Sequence, residues 1–174
     1  KTFEQFINRW LEEARMAEST KSMRKSIIDR DILPAFRNRL LTEIRPEDLR
    51  NLCAKVKERG APATAVHVRD IVKQVFSFAA QHGDKAPNPA DEVGPSSIAT
   101  FVPKDRALSP SEIRVMHRVL ETTATLPTIR LALRLILLTL VRKSELIEAT
   151  WNEIDVENAV WSIPKSRMKG GKPH

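Results

Sequence analysis

At 174 residues and 41% hydrophobic content, the chain holds one large domain or two small ones, with enough apolar material for real cores. Its 29 Lys and Arg against 22 Asp and Glu give a net charge of +7, which favours a polyanionic partner, either nucleic acid or an acidic membrane surface. The lone cysteine, Cys53, excludes an internal disulfide, and its neighbours Leu52, Ala54 and Val56 mark an ordinary helix position rather than a reactive thiol.

Residues 1–95 read as an all-helical unit. Lys1-Thr2-Phe3-Glu4 leads into a charged amphipathic stretch, unlike a secretory leader. Thr2 is a candidate cap for a helix to about Ala17, with Phe3, Phe6, Ile7, Trp10, Leu11 and Ala14 on one stripe. Ser19 or Thr20 is expected to cap a second helix to about Phe36, with Met23, Ile27 and Ile28 inward and Pro34 bending or ending it. Arg45-Pro46-Glu47-Asp48 starts a third helix, with Pro in the first turn and acids near the positive dipole end, and Gly60 ends it. Pro62 starts a fourth that runs to about Gln81, with Gly83 beyond it. Its inner stripe is Val68, Ile71, Val72, Val75, Phe78 and Ala79. Asn88-Pro89-Ala90-Asp91 reads as a short fifth helix.

Residues 96–107 read as a linker on their loop composition, from Ser96-Ser97 to Val102-Pro103-Lys104-Asp105-Arg106. Residues 108–174 then form a second unit. Ser109-Pro110-Ser111-Glu112 caps a new helix. The run from Pro127 to Val141 is apolar nearly all round, which predicts a central buried helix. Its apolar stretch from Leu126 is shorter than the roughly 20 residues that span a bilayer and carries Arg130 and Arg134, so a cytoplasmic protein is expected. A short helix over about 143–149 follows. Ile154, Val156, Val160, Trp161 and Ile163, around Glu157-Asn158, predict a β-hairpin.

One segment carries a resemblance. Leu137-Leu138-Thr139-Leu140-Val141-Arg142-Lys143-Ser144-Glu145-Leu146, followed by Ala149-Thr150-Trp151-Asn152-Glu153-Ile154-Asp155, resembles the first catalytic box of the tyrosine recombinases, in the wording of satellite-phage and pathogenicity-island integrases. Ile163-Pro164-Lys165-Ser166-Arg167-Met168-Lys169-Gly170-Gly171-Lys172-Pro173-His174 looks like the hairpin that carries the family's catalytic Lys. The helical front half is similar to the family's core-binding domain. The resemblance implies a mainly α chain: a helical SAM-like core-binding domain, then the α+β start of a catalytic domain with helices and a small antiparallel sheet. Two departures stand out. Many members have Gly where Leu140 stands. The family's His-x-x-Arg box and Tyr nucleophile have no counterpart, and the chain contains no tyrosine, which reads as a truncated chain that is inactive by itself.

In the family a Tyr attacks a DNA phosphodiester and forms a 3′-phosphotyrosyl link, which conserves the bond energy, so no cofactor is implied. The resemblance gives Arg142 one half of a phosphate clamp, since a guanidinium donates two parallel hydrogen bonds to two oxygens. It gives Lys169 the general acid that protonates the departing 5′-oxygen, with Lys172 as the rival. Lys165, Arg167, Lys169 and Lys172 form a basic run in which any member can be a plain phosphate contact. Glu145, one turn from Arg142, either orients the site or serves as a helix cap or ion pair.

The front unit adds basic residues on what read as outward faces: Lys21, Arg24 and Lys25 on its second helix, and Arg69 and Lys73 at i, i+4 on its fourth. The resemblance turns these two helices to the major groove, which brings Thr64 and His67 within reach of phosphates or bases. His67 has no Cys or second His beside it, which argues against a metal site. Residues 1–95 hold 17 basic and 14 acidic side chains and residues 96–174 hold 12 and 8, so two basic modules on a linker are expected to close around a duplex. The implied partners are double-stranded DNA at a recombination site and further copies of the protein, a tetramer at full length. A non-catalytic DNA-binding regulator and a helical protein-interaction scaffold are the competing readings.

Overall fold

The structure, a computed structural model, describes residues 1–102 and 106–168. Lys169 and Lys172 lie outside the described residues. The chain divides into two compact units, Lys1–Pro103 and Lys104–His174.

In the first unit, α1 (Phe3–Glu13) buries Phe3, Phe6, Ile7, Trp10 and Leu11, the stripe expected of its 3.6-residue period. The Gln5 side chain accepts the Thr2 N–H (3.1 Å), and the helix stops short of Ala17. The next helix begins earlier than Ser19 or Thr20: Ala17 caps α2 (Glu18–Ile27). The helical path then continues through a π turn (Ile28–Ile32) into α3 (Leu33–Phe36). Pro34 explains the π turn. Proline lacks an N–H, and its ring collides with the carbonyl four residues back in an α register. The wider turn, in which the Leu33 N–H donates to the Ile28 carbonyl, lets the chain pass Pro34 without ending the helix. Ile27, Ile28, Ile32, Leu33 and Phe36 enter the core, whereas Met23, expected inward, is 39% exposed.

The N–H of Arg45 donates to Asp48 (2.8 Å) at the start of α4 (Pro46–Glu58), which buries Leu49, Leu52, Cys53 and Val56. Burial pushes the Cys53 thiol up to about 11, and its S–H points at the Ala65 carbonyl (3.5 Å), so it is an inert packing residue. The longest helix, α5 (Pro62–Gln81), buries Ala65, Val68, Ile71, Val72, Val75, Phe76 and Ala79. Phe76, not Phe78, completes the stripe: it lies against Phe3 (ring centroids 6.2 Å), while Phe78 is half-buried against His82. A 3-10 turn (Pro89–Asp91) follows. Residues 96–98, expected as the start of the linker, belong instead to α6 (Pro95–Ile98), and Ile98 joins the core.

The second unit starts at the Ser109 cap, where Ser109 and Glu112 exchange hydrogen bonds (2.8 and 3.3 Å) at the head of α7 (Pro110–Thr122). Two helices follow, α8 (Pro127–Thr139) and α9 (Lys143–Ile147). The expected hairpin forms from β1 (Ile154–Asp155) and β2 (Val160–Trp161), antiparallel, with Ile154 opposite Trp161 and Asp155 opposite Val160. Asn158 donates to the Asp155 carboxylate from its backbone (3.0 Å) and its side chain (2.7 Å), which shapes the turn.

The expectation of a buried central helix fails here. No residue of α8 is buried; Leu131 is 61% exposed and Leu138 81%. Its charged side chains turn to α7, where Arg130 and Arg134 meet Glu121. Among the described residues of this unit, only Leu120, Val141 and Ile163 are buried apolar side chains. The fold is mainly helical with a small antiparallel sheet, the class expected. Among the described residues, no helix is long and apolar enough to cross a membrane.

Candidate nucleic-acid interface

The segment around Arg142 is built by three local devices. Leu140 adopts the left-handed conformation (φ 56°) that closes α8, at the position where many members of the resembling family have Gly. Val141 is buried and pins the chain. Arg142 is then the extended N-cap residue of α9.

Glu145 holds Arg142 twice. One carboxylate oxygen accepts the Arg142 backbone N–H (2.7 Å) and the other accepts Nη1 (2.7 Å). The Glu145 side chain is 4% exposed and that of Arg142 58%. A buried carboxylate therefore steers an exposed guanidinium, whose Nε and Nη2 make no hydrogen bond among the described residues. The helix cap and the ion pair expected as alternatives for Glu145 are both made by this one side chain.

Arg167 does not have the place expected of a phosphate contact. Its side chain is 15% exposed, Nη1 donates to the backbone carbonyl of Glu145 (2.9 Å) and Nη2 pairs with the Glu153 carboxylate. The guanidinium is drawn inward because a half-buried carboxylate and a helix-end carbonyl both need a donor there. Glu153 also accepts from Trp161 Nε1 (3.1 Å) and Thr150 Oγ1 (3.3 Å). Burial pushes the Glu153 carboxyl up, but these donors and the Arg167 charge outweigh it and hold the group below the usual carboxylate range. Sequence reasoning missed Glu153, Thr150 and Trp161 as members of this network. The only signal for them was their place in the phrase that follows the Arg box. Lys165, in the 3-10 turn Lys165–Arg167, is exposed.

In the first unit the expected basic residues divide. Lys25 is exposed and pairs with Asp29 (3.0 Å); Lys73 is exposed, 3.7 Å from Asp91. His67 is exposed, and Thr64 and Lys21 are half-buried. Arg24 reaches from α2 to α5: its Nη1 donates to Gln74 (2.9 Å), and its guanidinium lies over Trp10, 5.3 Å from the ring centroid.

Arg69 is the clear correction. It is 8% exposed, and it donates to the carbonyls of Val93 (2.7 Å) and Ala90 (2.8 Å) and to Asp70 (2.9 Å). It is a staple that fastens the 3-10 turn to α5, not an outward cation. The spacing that gave this away is Ala65, Arg69, Val72, Phe76, in which Arg69 takes a turn of the buried stripe.

The comparisons with known proteins agree along the chain. Residues 3–95 match the phage integrase central domain, and residues 106–174 match the phage integrase family. Prophage integrase IntZ of Escherichia coli K12 is 30% identical over 159 residues, which span 91% of this chain and 39% of that protein. The integrase of Shigella phage Sf6 is 28% identical over 149 residues, 85% of this chain and 38% of that one. The chain thus spans about two fifths of the length of these relatives. Among solved structures, a lambda integrase dimer bound to a COC' core site covers the whole chain with 48% of its own length, at a TM-score of 0.81 and 19% identity. A Tn1549 transposon integrase in complex with circular intermediate DNA covers 93% of the chain with 53% of its own length, at a TM-score of 0.78 and 19% identity. These structures share the fold.

Proposed function

The chain belongs to the phage integrase family, the tyrosine recombinases, and on that premise we propose that the complete protein is a site-specific DNA recombinase that integrates or excises mobile DNA. Residues 1–98, α6 included, serve as the core-binding domain, 99–107 as the linker and 108–174 as the start of the catalytic domain. The partner is double-stranded DNA at a recombination site, on which copies of the complete protein assemble into a tetramer, in the bacterial cytoplasm or nucleoid.

The observation that supports this best is the Arg142–Glu145 pair. A guanidinium fixed at one end by a buried carboxylate, with its other nitrogens turned out, is ordered before any phosphate arrives. In the reaction a tyrosine oxygen attacks the scissile phosphorus, the bond to the 5′-oxygen breaks, and a 3′-phosphotyrosyl link forms. Arg142 binds the non-bridging oxygens as negative charge builds on them. Lys169 gives its proton to the departing 5′-oxygen, with Lys172 as the alternative donor. Lys21, Lys25, Thr64, His67, Lys73 and Lys165 supply contacts along the duplex; Arg24 joins them only where its pairing with Gln74 and Trp10 leaves a nitrogen exposed. The attacking tyrosine has no counterpart among these 174 residues.

The test is a nicked suicide duplex carrying the junction sequence of the genetic element that encodes the protein. In chelator the complete protein should form a covalent adduct. Arg142→Ala should slow adduct formation about a hundredfold, the effect of losing a charged group worth roughly 3 kcal/mol at the transition state. The 174-residue chain should bind the duplex and form no adduct. A metal-dependent nick made by this chain would overturn the reading.

A further inference from the structure

We propose that Arg167 is a positioning residue for Arg142, and that it acts through Glu145. This inference rests on the recombinase reading above and assigns a role that the reading does not require.

The geometry is a relay of hydrogen bonds across four short elements. Trp161 on β2 and Thr150 fix the Glu153 carboxylate. Glu153 fixes one Nη of Arg167, and the other Nη donates to the Glu145 carbonyl (2.9 Å). The Glu145 carboxylate then holds Arg142 at its backbone N–H and its Nη1. Each piece is too small to order itself: α9 has five residues and each strand two. Their relative placement has to come from cross-links, and Arg167 is the cross-link between the hairpin side and α9. Only a planar fork serves here. Two acceptors, a carboxylate and a backbone carbonyl, are met by two nitrogens of one rigid group, which a lysine ammonium does not reproduce. Pairing with Glu153 also cancels the Arg167 charge locally.

A phosphate contact and a positioning residue give opposite kinetic signatures. In the complete protein, Arg167→Ala, Arg167→Lys and Glu153→Gln are compared with wild type in duplex affinity, in its salt dependence and in single-turnover cleavage at saturating suicide duplex. We expect duplex affinity within about twofold of wild type and an unchanged salt slope. Cleavage should fall about tenfold to a hundredfold for Arg167→Ala and Glu153→Gln, with Arg167→Lys between them and wild type. Glu153→Gln is the sharpest arm. It removes a negative charge, so a phosphate-binding Arg167 would bind DNA more tightly in that variant and cleave at the wild-type rate. Weaker affinity of Arg167→Ala with a salt slope smaller by about one, and an intact rate at saturation, would overturn the proposal. Where Arg167→Ala does not fold by circular dichroism, Arg167→Lys and Glu153→Gln carry the same comparison.

Absence of any adduct with wild type would instead refute the recombinase reading. A second measurement keeps the two separable: the ¹⁵N signal of the Arg142 Nε–H in the 174-residue chain. It should broaden or shift in Glu153→Gln if the relay holds Arg142, and an unmoved signal overturns the proposal.

Discussion

The two units solve the same problem, holding short helices in place, by different means. The first does it with apolar contact. Side chains from α1 to α6 converge on one core, with Phe3, Val68, Val72 and Val75 fully enclosed around α5. Even its buried charges are satisfied inside: Asp31 takes Arg59 in a two-pronged pair (2.7 and 3.1 Å) and Arg30 as well. Burial pushes the Asp31 carboxyl up, and these bonds outweigh it and hold it below its ordinary value. Among the described residues the second unit buries only Leu120, Val141 and Ile163, and polar cross-links, Glu121 to α8 and the Glu153–Arg167–Glu145 relay, join its elements. A unit closed by apolar packing can present a fixed basic surface. A unit closed by a few directional bonds sets the aim of one guanidinium, and single substitutions can misdirect it.

The largest expected effect tests that contrast directly. Phe76→Ala opens a cavity in the first core and should lower its stability by about 3–5 kcal/mol. Leu131→Ala removes a side chain that is 61% exposed and should change stability by about 0.5 kcal/mol or less. Urea unfolding followed by backbone amide signals of each unit reads both. A Leu131→Ala loss comparable to that of Phe76→Ala would show that α8 is covered after all, and the contrast would collapse.

A smaller effect separates the basic residues of α5. Arg69→Ala leaves the Ala90 and Val93 carbonyls without their donors and should cost about 2–3 kcal/mol. Lys73→Ala should cost about 0.5 kcal/mol or less, and on duplex DNA it should weaken binding and reduce the salt slope by about one. Equal stability losses for the two variants would place both in the same environment, against the structure.

Much of this was legible in the residues. The stripe of α1 and the Ser109–Glu112 box follow from period and cap chemistry, which are local. So does the hairpin around Glu157-Asn158. Pro34 was visible as a break, but only the whole helix decides whether the chain stops or widens into a π turn. Arg69 was misplaced because its i, i+4 partner Lys73 pointed outward, while its i−4, i+3 and i+7 neighbours Ala65, Val72 and Phe76 pointed inward; charge was weighed over period. Arg167 was misplaced for another reason. Its acceptors lie 14 and 22 residues away in sequence, and no local pattern announces them. The apolar run of α8 states what that helix would gain from burial, and carries no information on what covers it.

The smallest expected effect concerns Leu140. A non-glycine residue in the left-handed region suffers a clash between Cβ and the following carbonyl, worth roughly 1–2 kcal/mol. Leu140 sits there at φ 56° with its side chain 84% exposed, so no packing offsets the strain. Leu140→Gly removes the clash and adds freedom to the unfolded chain, which takes back about 0.5–1 kcal/mol. The balance is a gain of up to about 1.5 kcal/mol, confined to the second unit. Hydrogen exchange of the amides of α8 and α9 should slow by a few-fold, while those of α5 stay unchanged. The Arg142–Glu145 bonds lie beyond the buried Val141 anchor, so the Arg142 side-chain signals should not move. Faster exchange in α8 would mean that the Leu140 side chain contributes packing, and that the second unit is closed by apolar contact as the first one is.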